Sequence, residues 1–251
     1  MLGVSIAPRR VFGVHVNGLG EGTHDIWVCR AHPGSSGIRI ESIERFVELP
    51  GGVPDAAGAA RALVGKICEA PRSAWGFDAP FGVATADSDP GGRMRRTESE
   101  HGINVASTAT GKWMQAQILE PLARASQVCV LPLQTLPLVV AGMPQVMSAG
   151  VASTYLLEVA PAALVRALRL DGMELPDVDD AERARGLREL SAHGLVRPMA
   201  RALREKVAAA AGGGGLASLY CAIAAWRGYR GYDHVSLHLD ADYAREGFIY
   251  C

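Results

Sequence analysis

Two carboxylates stand in apolar segments of the chain, where a carboxylate needs a partner. Asp78 closes the apolar segment 73–78, and Glu158 lies within the apolar segment 155–159. Burying a carboxylate is costly unless it is paired or bound to a metal, and α/β sheets place ligands at the carboxyl ends of their strands. Both positions therefore indicate ligation of a divalent cation. Structural roles stay open, because Asp78 could close an Asx turn and Glu158 could extend into water from a strand end.

A histidine and two arginines are further candidates for a site. His15 lies in the alternating segment 11–16 and faces opposite to Val14 and Val16. Its imidazole suits Zn²⁺ or Mn²⁺ better than Mg²⁺, although a lone strand histidine is more often a satisfied core or surface residue. Arg95 and Arg96 lie in a polar stretch and could contact phosphate or carboxylate groups. A solvated loop is the alternative for that stretch.

Several familiar functional motifs are either absent from the sequence or stand in the wrong structural context. The glycines at 18, 20 and 22 follow a predicted strand but precede another strand, so the helix N-terminus of a dinucleotide cradle is missing. The chain contains neither a P-loop motif nor a Gly-x-Ser-x-Gly elbow. Its five cysteines have no metal-ligand spacing and no neighbouring histidine. We therefore expect small buried cysteines in a reducing compartment.

Composition and charge bound the class of protein. The 251 residues are 49% hydrophobic and 20% charged, which is typical of a globular chain with a sizeable core. The formal net charge of −1 argues against a strong general attraction to nucleic acid or to anionic membranes. The N-terminal residues lack the pattern of a signal peptide, and no apolar stretch reaches about 18 residues. These features predict a cytoplasmic protein that does not associate with membranes.

Periodicity predicts a mixed α/β order of elements. Strands at 11–16, 25–30 and 37–46 would form an antiparallel meander, followed by a helix at 55–69 and a strand at 73–78. The polar region 87–109 is expected to be an insertion with short helices. The later expected elements are a helix at 112–125, an apolar segment at 128–131, a strand at 155–159, helices at 161–168, 179–192 and 198–210, a break at 208–215, a helix at 216–226 and a closing strand at 246–251.

The order of short motifs resembles a known family. The relevant segments are 11–18 with 25–29, 75–82, 95–98, 130–134, 157–163, 216–226 and 246–250. Together they resemble the predicted nucleases with a ribonuclease-H-like fold that are classed as domain of unknown function 429, over nearly the whole chain. The resemblance implies one ribonuclease-H-like domain over 1–251. Its mixed sheet would have an antiparallel three-strand meander followed by parallel strands, flanked by helices, with an insertion at about 87–127 and a helical region at about 161–211.

The resemblance also implies a site. Ribonuclease-H-like nucleases hold one or two Mg²⁺ ions with carboxylates from the first strand, a central strand and a late helix, and the metals activate water and stabilise the leaving oxygen. By this resemblance the catalytic residues are Asp78, Glu158 and His15, and the ligands of Mg²⁺ or Mn²⁺ are Asp78, Glu158 and Glu98. Contacts with a phosphate-containing substrate or nucleic acid are expected from Arg95, Arg96 and Asn17.

This sequence departs from the family pattern at the positions that bind metal. His15 replaces the first-strand aspartate, Glu98 replaces an aspartate after Thr97, and Gly214 and Ala217 replace two helix aspartates. Two functions therefore stay open: a metal-dependent phosphoesterase or nuclease with weakened activity, and a catalytically inactive subunit that acts in protein binding or assembly. A phosphotransferase of the sugar-kinase and actin group needs two such domains, and a chain of 251 residues without a repeat is too short for it.

Overall fold

The computed structural model describes residues 7–17, 25–48, 56–81, 96–101, 113–123, 128–131, 154–170, 179–210, 213–232 and 248–251. Within these ranges the chain forms both strands and helices. In chain order the elements are β1 (Arg10–Asn17), β2 (Asp25–Pro33), β3 (Ile38–Arg45), a 3₁₀ turn (Phe46–Glu48), α1 (Ala56–Cys68), β4 (Ser73–Asp78), α2 (Arg96–His101), a π-helical segment (Met114–Leu119), α3 (Glu120–Ala123), β5 (Val128–Leu131), β6 (Thr154–Glu158), α4 (Pro161–Ala167), α5 (Asp180–Ala192), α6 (Arg201–Ala209) and α7 (Gly214–Gly231).

The strands form one mixed sheet. Its order among the described residues is β3-β2-β1-β4-β6-β5. The pairs β1–β2 and β2–β3 are antiparallel, whereas β1–β4, β4–β6 and β6–β5 are parallel. The expected α/β class and the meander followed by parallel strands are therefore confirmed. The C-terminal ends of β1, β4 and β6 meet at one edge of this sheet, which we call the carboxyl edge.

Alternation along the strands gives the sheet two buried faces. On the first, Phe12 and Trp75 stack with ring centroids 3.9 Å apart, and Leu63 and Ile67 of α1 pack in the same apolar cluster. We call this the α1 face. On the second, α7 packs against β1, β2 and β4, and every residue of Gly214–Trp226 is buried. We call this the α7 face. Each large apolar side chain buried in this way contributes about 1.5–3 kcal/mol.

Two glycines let α7 approach the sheet at backbone distance. A Cβ atom on Gly13 of β1 would lie 2.0 Å from the Ser218 carbonyl oxygen and 2.2 Å from the Ala222 nitrogen. A Cβ atom on Gly76 of β4 would lie 2.5 Å from the Cys221 carbonyl oxygen. Real Cβ atoms do not come within 3.0 Å of such atoms. The seat of α7 on the central strands therefore requires glycine at both positions.

Several expected helices are present with their local signals. Pro161 occupies the first turn of α4, where its missing N–H costs nothing. Asp179 caps α5, because its side chain accepts the N–H of Glu182 at 2.9 Å. The strands β1, β4 and β6 lie within one or two residues of the predicted segments.

Three elements differ from the sequence expectation. The helix expected at 216–226 begins at Gly214 and ends at Gly231, and the Trp27 ring lies where a side chain on Gly214 would be. The segment expected to be one helix over 112–125 is a π-helical segment followed by the short α3. The closing strand expected at 246–251 is, within the described residues 248–251, a single bridge between Tyr250 and Val159.

No single described helix is long and apolar enough to cross a membrane. Among the described helices, α6 and α7 taken together meet that criterion by length and composition, and they are bent by 112° at the break between them.

Candidate functional site

Three predicted site residues come from the ends of β1, β4 and β6 at the carboxyl edge. His15 of β1 and Asp78 of β4 are partners in the parallel register. Phe77 of β4 and Glu158 of β6 are partners in the next pair. Partners in register point to the same face of a sheet, and neighbours along one strand point to opposite faces. His15 and Asp78 therefore share one face, while Glu158 lies on the other.

His15 and Asp78 form a short side-chain contact. Nδ1 of His15 lies 2.6 Å from Oδ2 of Asp78, and the two side chains are 10% and 20% exposed. A carboxylate accepts hydrogen bonds, so Nδ1 carries the proton in this contact. The other ring nitrogen, Nε2, is buried and has no hydrogen-bond partner among the described residues. The pair is thus an oriented imidazole, with Asp78 as the more exposed member.

Helix α7 covers the face on which this pair lies. The alternation of β1 and β4 places His15 and Asp78 two residues beyond Gly13 and Gly76, on the same α7 face. The Cys221 thiol of α7 lies near Asp78, and its pKa is raised mainly by burial and further by the Asp78 charge. A backbone hydrogen bond from Asp78 acts in the opposite direction. A protonated thiol is therefore part of the wall beside the pair, and it is not a nucleophile in this environment.

Glu158 has a different partner on the α1 face. It is 1% exposed, and its Oε2 accepts the backbone N–H of Phe81 at 2.8 Å. Its own carbonyl oxygen accepts the N–H of Tyr250 at 2.9 Å. Glu158 therefore ties the turn after β4 to β6, which is a sufficient structural reason for a carboxylate in this strand.

The other predicted site residues are not brought to the pair by the described part of the chain. Glu98 is 5% exposed in the short helix α2. Arg96 begins the same helix and Asn17 ends β1, but the structure describes only their backbone. Arg95 lies outside the described residues, as do the glycines at 18–22 and most of the expected insertion.

The carboxylates do not fit the metal centre that the resemblance implies. Among the described residues, no three histidine, cysteine, aspartate or glutamate side chains come together as a metal-binding group. Asp78 and Glu158 lie on opposite faces of the sheet, and Asp78 already contacts the His15 ring. Mg²⁺ needs several oxygen ligands in near-octahedral positions. These carboxylates do not supply such a set.

Comparisons of the chain with protein-family models, with curated proteins and with solved structures found no match. The candidate site therefore rests on its own geometry. Sequence reasoning identified His15 and Asp78 separately but missed that they bind each other, and it missed Cys221. The alternation of β1 and β4 predicts that each residue lies on a definite face, but the pairing follows only from the register between the strands.

Proposed function

We propose that this chain is a ribonuclease-H-like protein in which the His15–Asp78 pair has replaced the metal centre, and that it acts as a non-catalytic binding or assembly subunit. The motif order and the sheet, an antiparallel meander continued by parallel strands, support the fold part of this proposal. The observation that carries the functional part is the 2.6 Å contact between His15 and Asp78.

The physical reason is the charge of the two side chains that lie at these adjacent strand ends. Two carboxylates in these positions repel each other and gain from a divalent cation between them. An imidazole in place of one carboxylate supplies an N–H donor that satisfies the remaining carboxylate directly. The protein then holds Asp78 without a bound cation. Glu158 supports the same conclusion, because its carboxylate is used within the fold to accept the Phe81 N–H.

Calorimetric titration of metal-free protein with Mn²⁺ and Mg²⁺ tests the proposal. The native chain should bind neither ion at millimolar concentration. His15→Asp restores two carboxylates to the pair and should bind Mn²⁺, because the ion then replaces the lost donor. The control is His193→Asp, which adds the same charge at an exposed position after α5. Binding by the native chain that Asp78→Asn abolishes would overturn the proposal and support the metal-dependent phosphoesterase instead.

One observation favours a second candidate, a phosphoester hydrolase that works without metal. Asp78 holds Nδ1 of His15, and Nε2 has no hydrogen-bond partner among the described residues. An imidazole oriented in this way can accept the proton of a water molecule that attacks a phosphodiester, but Nε2 is buried, so this candidate also requires that the site open to water and substrate. The reaction would consume one water and release an alcohol and a phosphate monoester.

The second candidate has its own assay. Hydrolysis of bis(p-nitrophenyl) phosphate is followed in excess EDTA with the native chain and with His15→Gln. Turnover that persists in EDTA and is lost in His15→Gln would establish acid–base hydrolysis and refute the non-catalytic proposal. Equal background rates for both proteins would dismiss this candidate.

A further inference from the structure

A second polar feature lies at the edge of the sheet opposite the His15–Asp78 pair. Strand β2 runs antiparallel to β1, so the turn 34–37 that joins β2 to β3 lies beside the start of β1. Two arginines from other parts of the chain reach this turn: Arg197, which follows α5, and Arg230, near the end of α7. We call the turn and these two side chains the hairpin-tip site.

Both guanidinium groups lie against the same residue of the turn. Nη1 of Arg230 donates to the carbonyl oxygens of Gly34 and Ser35, at 3.1 Å in each case. Nη2 and Nε of Arg197 lie 3.1 and 3.4 Å from the position that a Cβ atom on Gly34 would take. Given the size of one residue, the two cations are therefore on the order of 10 Å apart or less. Because Gly34 has no side chain, the Arg197 guanidinium can lie close to the turn at this residue.

These cations have no counter-charge within the described part of the chain. No carboxylate of the described residues forms an ion pair with Arg197 or Arg230, and both side chains are exposed. The nearest acidic residue along the hairpin, Glu41, is engaged by Arg30 at 2.6 Å and by His32 at 3.2 Å. Two positive charges that lie close together without a neighbouring carboxylate repel each other, and an anion bound from solution reduces that repulsion.

The site is also held in place before any ligand arrives. Arg230 packs over the Trp226 ring, with 5.2 Å between its guanidinium carbon and the ring centroid, in addition to its two carbonyl contacts. The backbone N–H of Arg197 donates to the Ile38 carbonyl oxygen at 2.9 Å. Ser35 in the exposed turn adds an N–H and a hydroxyl that have no partner among the described residues. The fixed guanidinium of Arg230, with the Arg197 guanidinium and free N–H and O–H donors beside it, suits a tetrahedral oxyanion.

We infer that the hairpin-tip site binds a phosphate group, carried either by inorganic phosphate or by a small phosphate monoester. The site is distinct from the carboxyl edge, and the inference does not depend on the role proposed for His15 and Asp78. The two guanidinium groups supply charge and directed donors, and the exposed turn leaves room for an ester substituent. Chloride lacks the several oxygen acceptors that these donors need, so it should compete poorly.

Calorimetric titration with inorganic phosphate at low ionic strength tests this inference. The native chain should bind phosphate, and sulfate should compete with it. Arg197→Gln should weaken binding at least about tenfold, because it removes one charge-assisted contact. Arg230→Lys keeps the charge and N–H donors but loses the planar fork, so it should weaken binding by a smaller factor. The control is Arg204→Gln, which removes another exposed arginine, from α6, and should leave binding unchanged.

Each outcome decides the inference. No binding of phosphate by the native chain at millimolar concentration would overturn it. Equal weakening by Arg197→Gln and Arg204→Gln would also overturn it, because the attraction would then be a general effect of charge. A parallel titration with a nucleoside 5′-monophosphate distinguishes the sources: tighter binding than inorganic phosphate indicates an ester, and equal binding indicates the free ion. His15→Asp should leave phosphate binding unchanged, so the test is independent of the proposed function.

Discussion

Because α7 packs against β1 at backbone distance, even the methyl group of an alanine at position 13 should destabilise the fold strongly. Gly13→Ala places a Cβ atom 2.0 Å from the Ser218 carbonyl oxygen, 2.2 Å from the Ala222 nitrogen and 2.9 Å from the Cys221 carbonyl carbon. All three atoms belong to the backbone of one helix. Backbone atoms cannot relieve a clash by a change of rotamer, as a side chain can, so either the helix or the strand must move.

The size of that movement sets the expected cost. The Cβ atom must recede by about 1 Å to reach the 3.0 Å that real Cβ atoms keep, and a gap of that size forfeits roughly a quarter to a half of each dispersion contact. Overpacking a core costs about 1–3 kcal/mol and occasionally more. Because α7 is buried along most of its length, we expect a loss at the upper end of this range, about 3 kcal/mol. The melting temperature should then fall by roughly 6–12 °C.

Thermal unfolding followed by circular dichroism measures this effect, with the same substitution elsewhere as control. Gly65 lies inside α1, and a Cβ atom there would have nothing within 4 Å. Gly65→Ala should therefore leave the stability unchanged or raise it by up to about 1 kcal/mol, since alanine favours helices. A shift of about 2 °C corresponds to at most about 1 kcal/mol in a chain of this size. If Gly13→Ala melts within that interval of the native chain, then α7 does not rest on Gly13 as described.

Three further changes test other contacts. Glu158→Ala removes the acceptor of the Phe81 N–H and should lower the free energy of unfolding by about 2–4 kcal/mol. Glu158→Gln keeps an oxygen and should cost less, so equal losses in urea titrations would contradict this role. Burial raises the pKa of the Cys29 and Cys221 thiols. Unfolded thiols ionise near about pH 8.5, so the unfolded chain loses protons first and stability should fall as the pH rises above that value. Urea titrations at about pH 7.5 and about pH 9.5 measure this decrease in the free energy of unfolding, and Cys29→Ala should make the decrease smaller. An equal decrease in Cys29→Ala would contradict the role of this thiol. Asp179→Ala removes the cap of α5 and should cost about 1 kcal/mol, and no change in the urea midpoint would show that the cap contributes nothing.

Local patterns were enough to predict the central strands. The segments that form β1, β4 and β6 carry alternating or continuous apolar residues with turn signals at their ends, and both features are local. The first turn of α7 was not predictable in this way. A run of glycines disfavours a helix by about 1 kcal/mol per residue relative to alanine. Gly214 is nevertheless helical, and the Trp27 ring of β2 lies where its side chain would be, so packing against β2 requires glycine there.

The candidate site shows the same division between local and non-local information. The sequence predicts that Asp78 ends one strand and that Glu158 lies in another, and the structure shows that these strands, β4 and β6, are neighbours in the sheet. Whether they meet depends on a register that differs by one residue between β4 and β6, which pairs Glu158 with Phe77. A one-residue difference moves a side chain to the other face of a sheet. The contact between His15 and Asp78 depends in the same way on the register of β1 against β4, which neither strand specifies alone.

The position of α7 in the chain has a consequence during synthesis. The strands β1, β2 and β3 are made first, and their α7 face carries apolar residues such as Val11, Ile38 and Ile43. The helix that covers this face ends at Gly231, so nearly the whole described chain must leave the ribosome before the face is closed. At about 5–20 residues per second, the delay is roughly 10–40 s. During that interval the nascent meander of β1, β2 and β3 exposes an apolar surface. We therefore expect chaperones that bind to the ribosome or to emerging chains to bind this meander.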